Sequence, residues 1–187
     1  MSQIDHADMV RVLVKKGDAI LSTLDPHKVN LWHAATGIAG EGTELLEGLL
    51  LDGADRENLI EESGDLYFYI EQMVQGTGIV IDWNAVNTYA CSMDISPGSL
   101  AEYATRVAVY SGGILDTVKK LAIYNKELDT ATLQLQLTSL VENLTALGLM
   151  HGFGRGDALS HNIAKLSKRY EGLRYTDEAA QKRADKV

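Results

Sequence analysis

The sequence predicts an all-α helical bundle, and three observations carry that expectation. Apolar residues recur at three- and four-residue spacing along most of the chain. No stretch sustains the apolar–polar alternation of a half-buried strand. Only two prolines occur in 187 residues, which leaves room for long uninterrupted helices. With 45% hydrophobic and 23% charged residues the composition is that of a globular protein, and the length suits one domain spanning 1–187.

The elements follow in order. Val10, Leu13, Val14, Ile20, Leu21 and Leu24 form an apolar stripe from Ala7 to Leu24, closed by Asp25-Pro26. A helix is expected from about His27 to Leu51, then a turn over Asp52–Asp55, with Gly53 suited to a left-handed cap and Asp55 to an N-cap. The next helix runs from about Arg56 to Gln75 and stops at Gly76-Thr77-Gly78. Ile79-Val80-Ile81 is β-branched and too short to stand alone as a strand, so a buried connector is expected. Asp82 caps a short helix to Ser92, and Ser96-Pro97-Gly98 breaks the chain, with Pro97 suited to a helix start. Further helices are expected over Leu100–Asn125 (interrupted near Gly112-Gly113), Thr130–Leu149, Gly156–Tyr170 and Thr176–Lys186. The first hairpin thus occupies about 27–78 and the second half about 97–187. Apolar positions of Ile38–Gly53 and Leu59–Met73 roughly superimpose on Tyr110–Asn125 and Leu133–Leu147, an echo of a degenerate duplication that helical periodicity by itself can also produce.

Charge narrows the function classes. The formal net charge is −9, which disfavours holding polymeric nucleic acid by broad phosphate neutralisation. No apolar run reaches the roughly 20 residues that span a bilayer, so no membrane partner is expected. The first residues, MSQIDHADMV, lack a signal-peptide pattern, so a cytoplasmic location is expected. A single cysteine, Cys91, permits no internal disulfide. The acidity is local: ten acidic residues and one basic residue lie between Glu41 and Glu71, and the rest of the chain is balanced. Such a block is either a solvated helix face or a site built for cations.

Within it, Glu41 and Glu44, and Glu62 and Asp65, form two pairs spaced i, i+3, each pair on one helix face. Glu41 and Asp65 are each twelve residues from Gly53, and Glu44 and Glu62 each nine. In an antiparallel hairpin the four carboxylates therefore stand at matched heights. Hard oxygen donors in that number suit Mg²⁺ or Mn²⁺, and neither pair carries the Glu-x-x-His pattern of di-iron bundles. Gly40, Gly42 and Gly64 weaken the helices and make sense if backbone or ligand approaches closely. Leu45, Leu46, Leu49, Leu50, Leu66, Phe68 and Ile70 are available to pack the hairpin, while Glu47 and Glu61 read as solvated.

Gly40-Glu41-Gly42-Thr43-Glu44-Leu45 followed by Glu61-Glu62-Ser63-Gly64-Asp65 resembles the signature of the MazG-like all-α nucleoside triphosphate pyrophosphohydrolases. His27-Lys-Val-Asn30-Leu31-Trp32-His33 is similar to the stretch preceding that signature, and Asn162-Ile-Ala-Lys165-Leu-Ser-Lys168-Arg169-Tyr170 to the family's late basic helix. Thr43 stands where a glycine is common, and the region between about 78 and 156 is not matched. The resemblance implies metal-dependent hydrolysis of a (deoxy)nucleoside triphosphate to monophosphate and pyrophosphate, with two or more Mg²⁺ or Mn²⁺ ions on Glu41, Glu44, Glu62 and Asp65. It also implies phosphate contacts from Lys165, Lys168, Arg169 and Tyr69; read from the residues alone, the late helix is equally an amphipathic one whose bases pair with the acidic block, and Tyr69 a buried hairpin tyrosine. For His27, Asn30, Trp32, His33 and Asn162, aromatic faces and amide edges suit a nucleoside. A homodimer or homotetramer is implied as well. The motif combination is also similar to phage-encoded members, which implies a purine dNTP such as dGTP as substrate and the host cytoplasm as location. The alternatives are a catalytically silent helical module binding a nucleotide or protein, or the same fold acting on an alarmone or noncanonical nucleotide.

Overall fold

Helical periodicity becomes helices throughout. The computed structural model describes residues 5–50, 53 and 55–186, and among these no strand occurs. Two long antiparallel hairpins form the centre. The first pairs α3 (Pro26–Leu50) with α4 (Arg56–Thr77), the second α6 (Leu100–Ala122) with α7 (Thr130–Met150). α3 packs on both α4 and α6, and α4 also touches α7, so the four helices enclose one core. Leu31, Ile38, Leu45, Leu59, Leu66, Ile70, Met73, Ile114, Leu133, Leu137, Leu140 and Leu144 are its large, fully buried side chains. α5 (Trp83–Ser92) covers α7, and α8 (Arg155–Arg169) lies against α4.

Helix ends follow local chemistry. Gly53 and Gly78 are left-handed, with φ of 74° and 71°, and Gly78 ends α4 by donating its N–H to the Val74 carbonyl. Asp82 accepts from the backbone N–H groups of Asn84 and Ala85 at 3.0 and 3.1 Å, as expected of an N-cap. Asp55 makes no such bond at the start of α4. Leu51, Asp52 and Ala54, part of the expected turn, lie outside the described residues. Ile79 and Ile81 are buried while Val80 is 78% exposed, and the segment is a connector between α4 and α5.

Three expectations differ from the structure. The stripe from Ala7 to Leu24 divides into α1 (His6–Leu13) and α2 (Gly17–Leu21), because Val14 turns extended. Neither short helix buries a residue. α6 continues straight through Gly112-Gly113, since a glycine lowers helix propensity without removing a hydrogen bond. At the far end, α9 spans only Asp177–Lys182; Arg183 adopts φ 46° and ends it.

Glycine placement sets how closely α8 can approach α4. A Cβ on Gly64 would sit 2.7 Å from the Ala158 carbonyl oxygen and 3.0 Å from Asn162 Cβ. Backbone cannot swing aside as a flexible side chain does. Gly64→Ala is therefore expected to lower the unfolding free energy by about 1–3 kcal/mol, measured by denaturant titration. Unchanged stability would mean that α8 is free to slide. Gly42 is similarly crowded by Ser111 Oγ at 2.6 Å, whereas Gly40 opens on empty space.

Candidate metal centre and the cavity above it

Three of the four matched carboxylates converge. Glu41 on α3 and Glu62 and Asp65 on α4 each offer an oxygen, all within 4.8 Å of one another. All three are half-buried, a group of hard oxygen donors able to hold a metal ion. Glu44 stands one turn along from Glu41, is exposed, and lines the same cavity. Burial, followed by the charge of Asp65 and then of Glu44, pushes the Glu41 carboxyl up to about 7. Glu62 is also pushed up to about 7, by burial and then by Glu44 and Asp65. A structural helix gains nothing from such repulsion; a bound cation would offset it.

α8 supplies the counter-charge. Lys165 is buried and pairs with Asp65 and, at 3.1 Å, with Glu61. Asn162 Nδ2 donates to Asp65 Oδ1 at 2.6 Å. Close contact at Gly64 places both of these side chains. Asp65 is thereby fixed from one side, and with Glu41, Glu44, Glu61 and Glu62 it lines the cavity. Glu61, expected to be solvated, is instead half-buried and bound to Lys165.

Above the cluster is a cavity of about 810 Å³. Its floor is acidic and its walls include Phe68 and Tyr69 of α4, His33 of α3, and Tyr170, Leu173, Tyr175 and Arg183 from the segment after α8. The Tyr69 ring packs edge-on against His33 with centroids 5.6 Å apart. It covers Gly37, where a Cβ would meet the ring at 2.4 Å.

The other candidate residues are distributed as follows. Arg169 borders the cavity, but its guanidinium makes two hydrogen bonds of 2.6 Å to Asp185. Lys168 is exposed and lines a separate cleft of about 360 Å³ with Glu61, His161 and Lys165. Asn162 is engaged with Asp65 rather than aimed at a nucleoside. Trp32 packs on the core, His27 Nε2 bonds the Gly76 carbonyl at 2.9 Å, and Asn30 is exposed. Of the residues matched upstream of the carboxylates, His33 alone lines the cavity.

Along the apolar echo between the two hairpins, the second keeps Asp116 at the position matching Glu44, paired with Lys119 and Lys120, but has no carboxylate at those matching Glu41, Glu62 and Asp65. Gly113 faces Gln136, whose Nε2 lies 2.7 Å from where a Cβ would stand, and Gln136 Oε1 accepts from Thr117 Oγ1 at 3.0 Å. In that sequence echo, which helical periodicity by itself can also produce, Gly113 and Gln136 stand at the positions of Glu41 and Glu62. An amide fills the gap where the first hairpin presents two carboxylates. Among the described residues, Glu41, Glu62 and Asp65 are the group whose oxygens lie close enough together to be able to hold a metal ion. No helix there is long and apolar enough to cross a membrane.

Comparison of the chain with protein-family models, curated proteins and solved structures returns no match.

Proposed function

We propose that the protein hydrolyses a (deoxy)nucleoside triphosphate to the monophosphate and pyrophosphate, using Mg²⁺ or Mn²⁺ held by Glu41, Glu62 and Asp65. One observation carries the reading: a convergent carboxylate group at the floor of a cavity whose upper walls are aromatic and cationic. A polyanionic ligand cannot approach Glu41, Glu44, Glu62 and Asp65 unless cations intervene. The residues present fit that need, being hard oxygen donors, and burial with mutual repulsion pushes Glu41 and Glu62 up to about 7.

When bound, the cations supply Lewis-acid polarisation of the phosphate and a water that is nucleophilic near neutral pH. The protein's own groups do the rest. Asn162 and Lys165 hold Asp65 in one orientation. Glu44 borders the same cavity and would hold a further cation. Attack of water on the α-phosphorus forms one P–O bond and breaks the bond to the oxygen bridging to the β-phosphorus. Pyrophosphate leaves, and the water's proton passes to a carboxylate of the cluster. Aromatic walls suit the flat face of a base.

The test is an incubation with each of the eight common NTPs and dNTPs, with Mg²⁺, Mn²⁺ or EDTA. Pyrophosphate and the matching monophosphate are expected, only with metal. Orthophosphate in place of pyrophosphate, or no turnover of any nucleotide, would reject the reading.

A further inference from the structure

The segment after α8 is built as one wall of the cavity, and several independent features place it there. Arg169 is the last residue of α8, and Asp185 lies sixteen residues on. Their paired hydrogen bonds close that stretch into a loop, and the Asp185 side chain is 1% exposed. The fork geometry of a guanidinium on a carboxylate fixes orientation as well as distance. Within the loop, Tyr170 and Tyr175 pack ring on ring with centroids 5.6 Å apart. Both border the cavity with Leu173 and Arg183, opposite Phe68 and Tyr69.

Backbone strain lies in the same stretch. Three non-glycine residues have positive φ among the described residues, and two of them are Leu173 at 54° and Arg183 at 46°. In that conformation the Cβ of a non-glycine residue crowds the following carbonyl oxygen, so each such residue is unfavourable on its own. Leu173 is 71% exposed and Arg183 is exposed as well, so core burial does not offset that cost. What the two turns achieve is direction: they return the chain so that Asp185 meets Arg169 and Arg183 lies at the cavity.

We propose that residues 170–183 form the ligand-contacting roof of the site, with Arg183 meeting an anionic group and Tyr170 and Tyr175 an aromatic ring, and that Arg169–Asp185 is the pair positioning this roof. The inference rests on the nucleotide reading above and adds to it where the base and the outer phosphates lie. It also gives Arg169 a different task from direct phosphate contact: its donors are engaged by Asp185, whereas Arg183 is exposed at the cavity edge. Base–aromatic stacking strengthens binding through the flat face that every base has, so it tolerates changes of base.

The test separates metal from nucleotide. Binding of Mn²⁺ alone and of a nonhydrolysable α,β-methylene nucleoside triphosphate with Mn²⁺ is measured by calorimetry. The wild-type chain is compared with Arg183→Gln, Tyr175→Ala, Asp185→Asn and Asp185→Glu. Arg183→Gln, Tyr175→Ala and Asp185→Asn are expected to weaken nucleotide binding tenfold or more while leaving Mn²⁺ affinity within twofold. Asp185→Glu is expected to restore most of the nucleotide affinity, which general loosening of the fold would not do. Arg183 and Tyr175 are exposed, so their variants remain folded even if Asp185→Asn does not. Wild-type nucleotide affinity in both the Arg183 and Tyr175 variants would overturn the roof and leave the nucleotide reading standing. No metal-dependent nucleotide binding by the wild-type chain would remove both.

Discussion

Asp65→Asn is expected to reduce metal-dependent pyrophosphate release by far more than a hundredfold while the chain still folds. Asp65 is the carboxylate at which three structural relations meet. It belongs to the convergent group with Glu41 and Glu62, pairs with Lys165, and accepts from Asn162. Asparagine preserves shape and can still accept a hydrogen bond, so helix packing survives. What it removes is negative charge, and with it most of the affinity for a hard divalent cation. Loss of a group that merely orients a metal ligand costs about 10–100-fold; loss of the ligand's own charge should exceed that. Glu41→Gln should behave alike, and Glu47→Gln, on an exposed position outside the cavity, should not change activity. Lys165 decides how the Asp65 variant differs in stability. Its buried ammonium keeps Glu61 as a partner, so the loss should be modest rather than the several kcal/mol expected of an uncompensated buried charge. Activity in Asp65→Asn within tenfold of the wild type would refute the role given to the cluster.

The second large effect concerns pH. In EDTA the protein should be more stable at pH 5 than at pH 8, and Mn²⁺ should reverse that order. Glu41 and Glu62 have an ordinary value of 4.5 and are pushed up to about 7 in the folded chain. Between those values the native state binds more protons than the unfolded state. Stability is therefore complete below about pH 4.5 and falls as pH rises through 7. The facing charges are Glu44, Glu61, Asp65 and Lys165; only the lysine lowers either value. Both glutamates are partly open to water, which limits the change to a few degrees in Tm. Asp185, held down to about 2 by Arg169, contributes stability that is lost only in stronger acid, outside this window. His151, whose pKa burial lowers, acts in the opposite direction by one proton. The double variant Glu41→Gln, Glu62→Gln isolates the effect: its melting temperature should lose the decline from pH 5 to 8. Mn²⁺ binds the deprotonated carboxylates, so its stabilisation should grow with pH. A wild-type slope retained in the double variant would show that other groups produce it.

The hairpin and its carboxylates were legible because short-range rules govern them. Helical spacing sets which residues share a face, and distance from Gly53 sets which heights match. Glu41, Glu62 and Asp65 accordingly meet. The same rules place the leucines of the core but not its edges: Phe68, grouped by periodicity with the packing residues, is 47% exposed and turns into the cavity. The apolar stripe at 7–24 forms two short helices that bury no residue, since amphipathicity specifies an apolar face without specifying what covers it.

What local spacing cannot carry is the choice of partner between distant segments. Asn162, Lys165 and Arg169 share a helix face, yet the first two engage Asp65 and the third engages Asp185. That division depends on how closely α8 lies on α4 at Gly64 and on two left-handed residues that return the chain. Glu61 and Glu47 look alike in the sequence, but only Glu61 meets a buried lysine. By itself the sequence determined the helices, their pairing about Gly53 and the acidic floor of the site. Only the tertiary structure decided which cation meets which carboxylate, because an ion pair depends on distances in space, and those are set by packing between segments far apart in the chain.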